Sequence, residues 1–168
     1  MAENNKTCLV PGSFDPPTLG HRYIAEYAAQ KYSRVLVVGF INDAKNYTFT
    51  EDERLALMEA QFGDLPNVSV GFSRGMLADF CRENGVDVIL KGVRNKVDEA
   101  YEIDMAEKNY ARYSGAVTVL LNAPSELLNV SSTAVRELLA SGGDITHLLG
   151  DRVAQLAGAL YRSKSTDK

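Results

Sequence analysis

The strongest constraint on this chain is a rhythm of short apolar runs separated by longer amphipathic stretches. The runs, dense in Val, Leu and Ile, are Thr7–Val10, Val35–Ile41, Val68–Phe72, Val86–Leu90 and Val117–Leu121, each about the length of a buried strand. Helical patterns fill the gaps at Leu19–Tyr32, Glu51–Phe62, Met76–Asn84 and Asp98–Tyr113, and two more follow at Ser132–Ala140 and Asp151–Arg162. Apolarity within the runs is continuous rather than alternating, which implies strands buried on both faces and therefore a parallel sheet with helices on each side. The expected fold is α/β: a doubly wound, Rossmann-like parallel sheet of about five strands with C-terminal helices.

Local signals support these boundaries. Thr50 and Glu53 have capping-box spacing, Ser131 or Ser132 can cap the helix that opens at Thr133, and Gly142-Gly143 supplies a stop. The 168 residues suit one domain, 1–168, with no repeat or linker, and Ser163–Lys168 reads as a frayed end. In such a fold, ligands bind beyond the carboxyl ends of the strands, where the strand order reverses.

Bulk properties exclude several classes. A formal net charge of −4 argues against a general nucleic-acid binder. No apolar stretch approaches the roughly 20 residues of a membrane span, the best being Val35–Ile41, and the polar start Met1–Lys6 lacks a secretory pattern, so a cytoplasmic protein is expected. Cys8 and Cys81 match neither a disulfide framework nor a metal-ligand spacing and read as reduced packing residues.

The segment Gly12-Ser-Phe-Asp-Pro-Pro-Thr-Leu-Gly-His21 leaves the first strand, turns through Gly and Pro, and enters a helix. Gly12 permits close backbone approach to a ligand, Ser13 adds a hydroxyl, and His21 falls in or beside the first helical turn, where unpaired N–H groups favour an anion. Alone, the segment could equally be a turn followed by a solvated histidine. Its joint spacing, however, resembles the nucleotidylyltransferase signature Gly-x-Phe-Asp-x-x-His/Thr-x-Gly-His. Thr18, where many members of that superfamily have His, is a feature of the phosphopantetheine adenylyltransferase family.

Three further stretches are similar to that family. Asn42-Asp-Ala-Lys45-Asn-Tyr-Thr-Phe49 and the following Thr50-Glu-Asp-Glu-Arg54 resemble its lysine loop and helix start. Lys91-Gly92-Val93-Arg94 through Asp98, Tyr101 and Glu102 resembles its Arg-Gly-Leu-Arg-x-x-x-Asp-x-x-Tyr-Glu motif, with Lys91 standing where Arg is usual. Three cations within six residues beside a glycine suit polyphosphate, and the Arg94 guanidinium can grip two phosphate oxygens at once. Asn129-Val-Ser131-Ser-Thr133-Ala-Val-Arg-Glu137 resembles the Ser/Thr-rich helix start of the superfamily, and hydroxyls there can both cap the helix and bind phosphate.

The resemblance implies transfer of the adenylyl group of ATP to 4′-phosphopantetheine, with ATP and 4′-phosphopantetheine as partners, Mg2+ carried with ATP, no metal ligands of the protein's own, and a homohexamer. It implies His21, Lys45 and Arg94 as catalytic residues. For ATP it implies Ser13, Phe14, His21, Gly92, Val93, Arg94, Glu102, Leu128, Asn129, Val130, Ser131, Ser132 and Thr133. For the second substrate it implies Ser13, Lys45, Leu77 and Lys91, with Leu77 beside the pantetheine arm. Two alternatives stand beside this one: a sister enzyme acting on nicotinate mononucleotide or on an alcohol phosphate with CTP, and a regulatory module that holds ATP without chemistry.

Overall fold

Successive side chains of a strand point to opposite faces, so a strand rich in Val, Leu and Ile at every position needs cover on both sides. The computed structural model describes residues 3–166, with side chains from 5 to 164, and supplies that cover. Five strands, β1 (Glu3–Gly12), β2 (Tyr32–Phe40), β3 (Val68–Ser73), β4 (Val88–Val93) and β5 (Val117–Asn122), pair in parallel in the order β3-β2-β1-β4-β5. Seven helices accompany them: α1 (Leu19–Lys31), α2 (Glu51–Phe62), α3 (Leu77–Asn84), α4 (Lys96–Arg112), α5 (Ser132–Ser141), α6 (Thr146–Leu149) and α7 (Asp151–Thr166). The chain winds outward through β2 and β3, then returns to place β4 on the other side of β1. The order therefore reverses between β1 and β4, and a crevice opens beyond their carboxyl ends.

The two faces carry separate cores. Cys8, Val10, Val35, Val37, Val88 and Leu90 pack with Ala25 and Ala28 of α1 and Met58 and Phe62 of α2. The intervening Leu9, Leu36, Val38 and Ile89 pack with Cys81 of α3, Val86 and Ala116. Burial on both faces holds for the central strands, whereas the edge strands β3 and β5 are mostly half-buried, because each has a neighbour on one side alone. A third core, built from Phe49, Leu57, Val135, Leu149, Val153 and Ala157, docks α5, α6 and α7 against α2. Both cysteines are fully buried, and burial pushes their thiols up to about 12 for Cys8 and about 11 for Cys81, as suits inert packing residues. Among the described residues no helix is long and apolar enough to cross a membrane.

Boundaries follow the capping chemistry. Thr50 and Glu53 form a reciprocal capping box, Ser131 accepts the Ala134 N–H, and α5 stops at Gly142, which is left-handed at φ 77°. Elsewhere the elements shift. The fourth strand begins at Val88 rather than Val86 and runs on through Lys91, Gly92 and Val93, so those residues belong to the sheet rather than to a loop. Met76 caps α3 instead of opening it, and Asn95 caps α4, whose first turn starts two residues ahead of Asp98. Ser163–Thr166 continues α7 instead of fraying, while Asp167 and Lys168 lie outside the described residues. The four-residue α6 was not expected, being too short to carry a period of its own.

The turn from β1 into α1 is held by bonds to residues distant in the chain. Pro16 and Pro17 bring no N–H, the Asp15–Pro16 peptide is cis, and Phe14 is left-handed at φ 52°. Carbonyls in this stretch are captured from outside it: Ser13 O by Arg54 Nη1 at 2.9 Å, Asp15 O by Arg136 Nη1 at 2.9 Å, Pro16 O by Ser132 Oγ at 2.8 Å and Pro17 O by Gln61 Nε2 at 3.3 Å. The buried Asp15 carboxylate accepts the N–H groups of Thr48 at 2.8 Å and Phe49 at 2.9 Å, which fastens the segment after β2 to the turn after β1. Replacing Asp15 with Ala leaves two backbone donors short of a partner, so urea unfolding should show a loss of about 2–3 kcal/mol, with Asp15→Asn recovering part of it.

Candidate active site

A cleft lies at the carboxyl ends of β1, β4 and β5. One wall comes from the start of α1, with Thr18, Gly20, His21, Tyr23 and Ile24. The floor and far wall come from Gly92, Val93, Arg94, Asp98 and Glu102, and the rim from Leu121, Ala123, Leu127, Val130, Ser131, Ser132 and Thr133. Gly92 belongs to the floor for a steric reason: a Cβ there would stand 2.6 Å from Ile24 Cδ1. At Gly12 the neighbour is internal. A Cβ would meet the Phe14 ring at 3.1 Å, so this glycine makes room for Phe14.

His21 is the third residue of α1 and takes the place that Glu or Gln holds in an ordinary capping box. Thr18 Oγ1 accepts the His21 backbone N–H, and the Thr18 backbone N–H donates to His21 Nδ1 at 2.9 Å. With Nδ1 an acceptor, the ring proton of the neutral imidazole resides on Nε2. The ring packs edge-on against Phe14, with centroids 4.9 Å apart. Burial, and then the charges of Lys91 and Arg94, push its pKa down from 6.5 to about 4, so the imidazole is neutral near pH 7. A neutral ring with Nδ1 already engaged is a directional N–H donor at Nε2.

Arg94 follows β4. Its backbone N–H and its Nε both donate to Asp98 Oδ2, at 3.2 and 3.0 Å, which orients the guanidinium through a residue one helical turn along. Ser131, Ser132 and Thr133 sit at the N-terminus of α5, where the Ser131 hydroxyl caps the helix and Arg136 Nη2 donates to Thr133 Oγ1 at 3.1 Å. Unpaired helix N–H groups beside an arginine and a neutral donor make a site for a phosphate chain.

Two further depressions carry expected site residues. Leu77, Ile89, Lys91, Tyr101, Glu102, Met105, Asn109 and Thr118 line one, whose apolar members flank a cation. Lys91 Nζ stands 3.5 Å from Glu102 Oε1, and Glu102 lines both this depression and the main cleft. The other lies beside the exposed loop 42–46, where Lys45 Nζ donates to Ser13 Oγ at 3.2 Å.

Most of the expected site residues therefore gather at one end of the sheet: His21, Gly92, Val93, Arg94, Glu102, Val130 and Ser131–Thr133 line the main cleft, Leu77 and Lys91 line the depression that shares Glu102 with it, and Ser13 and Lys45 are bonded to each other beside the loop after β2. Three do not face it in that way. The Phe14 ring is 1% exposed and belongs to the core; Leu128 is 42% exposed and outside the cleft lining; Asn129 lines a separate depression with Glu126 and His147. Leu127 takes their place at the rim, followed by Val130, because the short 3-10 turn Ser125–Leu127 rotates Leu128 outward. Sequence reasoning missed Tyr23, Ile24 and Leu121 because apolar lining residues look like core. It could have found the bond between Thr18 and His21, since Thr-x-x-His has capping-box spacing.

The chain is similar to several known proteins. The family described as cytidylyltransferase-like matches residues 9–138. A phosphopantetheine adenylyltransferase of Cutibacterium acnes is 41% identical over 138 residues, covering 82% of this chain and 87% of the relative. Among solved structures, a putative nicotinate-nucleotide adenylyltransferase from Vibrio parahaemolyticus superposes with a TM-score of 0.67 over 96% of both chains at 20% identity. A lipopolysaccharide core biosynthesis protein from Thermoplasma volcanium reaches 0.50 over 71% of this chain and 96% of its own, at 23% identity. These last two share the fold. The parallel sheet with its signature turn, the match over residues 9–138 and the 41% identical relative together place the chain in the cytidylyltransferase-like family of nucleotidyltransferases.

Proposed function

We propose that this protein transfers the adenylyl group of ATP to 4′-phosphopantetheine, forming dephospho-coenzyme A and pyrophosphate. The observation that carries the reading is the convergence of a neutral N–H donor, His21, with Arg94 and the N-terminus of α5 in one cleft, beside a depression that joins Lys91 to apolar Leu77, Ile89 and Met105. A polyphosphate fits the first, and a phosphate on an apolar arm fits the second. The 41% identical relative bears the name of this activity.

In this reading an oxygen of the phosphopantetheine phosphate attacks the α-phosphorus of ATP in line with the bond to the β-phosphate oxygen. The new P–O bond forms as that bond breaks, and pyrophosphate leaves with its electron pair. The attacking phosphate is already an anion, so no general base is required, and a histidine with a pKa near 4 acts as a donor to developing charge rather than as a proton acceptor. His21 Nε2 serves the α-phosphate oxygens, Arg94 and the α5 N-terminus serve the β- and γ-phosphates, and Lys45 and Lys91 serve the attacking phosphate. Magnesium enters with ATP as part of the substrate. Leu121, Leu127 and Val130 supply an aliphatic wall for the base.

The reading extends to assembly and place. Every residue of α4 is at least partly exposed, and Val97, Tyr101 and Tyr110 on it, with Val117 on β5, stand 79%, 62%, 54% and 55% exposed. An apolar surface of this kind suits contact with further copies of the chain, and a homohexamer in the cytoplasm completes the proposal. Light scattering measures the mass directly.

Three outcomes test the chemistry. Among nicotinate mononucleotide, glycerol phosphate and 4′-phosphopantetheine, offered with ATP or CTP, pyrophosphate release should require ATP and 4′-phosphopantetheine; ATP binding without release would favour the regulatory alternative. His21→Ala should lower kcat by about two orders of magnitude or more while ATP binding changes little, because a donor to developing charge acts chiefly in the transition state. Acid should also reveal His21 in stability. The unfolded chain takes up a proton near pH 6.5 and the folded chain only near 4, so the contribution is whole above 6.5 and declines as pH falls toward 4. Unfolding curves between pH 7 and 4.5 should therefore lose less stability in His21→Gln than in the parent.

A further inference from the structure

Arg54 is the one charged side chain among the described residues that is 2% exposed and has a buried nitrogen, Nε, with no hydrogen-bond partner. Burying a guanidinium costs free energy unless its surroundings compensate, and here they do so in an unusual way. One terminal nitrogen donates to the Ser13 carbonyl at 2.9 Å, and the guanidinium carbon lies 3.9 Å from the centroid of the Tyr47 ring and 5.0 Å from that of Phe72. Cation–π contact strengthens when water is excluded, so the two nearby rings offset part of that cost.

The partners of Arg54 matter more than its charge. Ser13 carries the hydroxyl that Lys45 Nζ reaches at 3.2 Å, and Tyr47 lies two residues beyond Lys45 on the same loop. That loop is closed on itself: Asn42 N–H donates to Tyr47 Oη at 3.0 Å, and Lys45 N–H donates to the Asn42 carbonyl at 2.9 Å. These bonds tie the loop to itself, and Tyr47 is the residue by which it rests on Arg54. A single guanidinium thus touches both sides of the gap that Lys45 spans, the Ser13 backbone on one and the loop's aromatic face on the other.

We infer that Arg54 is a positioning residue that sets where Lys45 meets the attacking phosphate, acting through Ser13 and Tyr47 without touching substrate. The inference rests on the assignment of Lys45 to that phosphate. Lysine at position 54 would keep the charge and lose both the planar stack and the fixed donor direction, so Arg54→Lys is the informative change.

The test is a double-mutant cycle on the full chain, with kcat and both KM values measured for the parent, Arg54→Lys, Lys45→Ala and the double variant, and with thermal unfolding alongside. Arg54→Lys should lower kcat on the order of 10- to 100-fold and raise KM for 4′-phosphopantetheine, with KM for ATP changed by less than about twofold. In the Lys45→Ala background the same substitution should cost less than about threefold, because the group it positions is gone. Tyr47→Leu, which removes the stack from the loop side and leaves Arg54 in place, should repeat the pattern, and it carries the test where Arg54→Lys fails to fold. An equal cost in both backgrounds, or a lowered melting temperature with kcat unchanged, overturns the inference while the role of Lys45 stands. Full turnover in Lys45→Ala alone removes that role, and the inference with it.

Discussion

The turn between β1 and α1 can exist only if other parts of the chain satisfy it. Two prolines and a left-handed Phe14 take residues 13–17 out of any ladder, and buried carbonyls without donors would cost more than the turn could return. The donors come from α2, through Arg54 and Gln61, and from α5, through Ser132 and Arg136. Residues distant in sequence are thereby bound to one short segment, and the site is assembled by the same bonds that close the fold. The buried Asp15 carboxylate extends the arrangement to the lysine loop by holding Thr48 and Phe49.

The site residues stand on two kinds of support. His21, Gly92 and Arg94 sit on a helix start, a central strand and the residue just after that strand, positions fixed by the sheet and its two cores. Lys45 stands on an exposed loop, bonded to Ser13 by its own ammonium, with Tyr47 against Arg54 and with Thr48 and Phe49 fastened to Asp15. Placement of the groups for the polyphosphate thus comes from the sheet, and placement of the group proposed for the incoming phosphate comes from the bonds of its loop.

The fold was legible because strands buried on two faces leave continuous apolar runs, and β1, β2 and β4 are such strands. Element ends were less legible where the apolar pattern passes into functional residues. Lys91 and Gly92 look like loop residues and lie in β4, since the sheet needs backbone pairing with β5 and not apolarity there. The polar half of the site could be read from spacing, as with Gly12 to His21 and Lys91 to Glu102. The apolar half could not: Leu127 and Leu128 are chemically alike, and only the local turn decides which of them lines the cleft. Arg54 was legible as part of a helix start, but its burial depends on Phe72 of β3 and on the way the loop before α2 brings Tyr47 over it.

The bond from the Thr18 N–H to His21 Nδ1 has a consequence for the entropy of the reaction. A free histidine would have to surrender ring rotation and tautomer choice each time a substrate arrived. Here both are surrendered once, during folding, because the helix needs that N–H satisfied in any case. The order required of the donor is therefore part of the cost of starting α1, and none of it recurs with turnover. Helix initiation and imidazole alignment become one event, so a change that loosens the first turn of α1 loosens the alignment of the donor in the same measure.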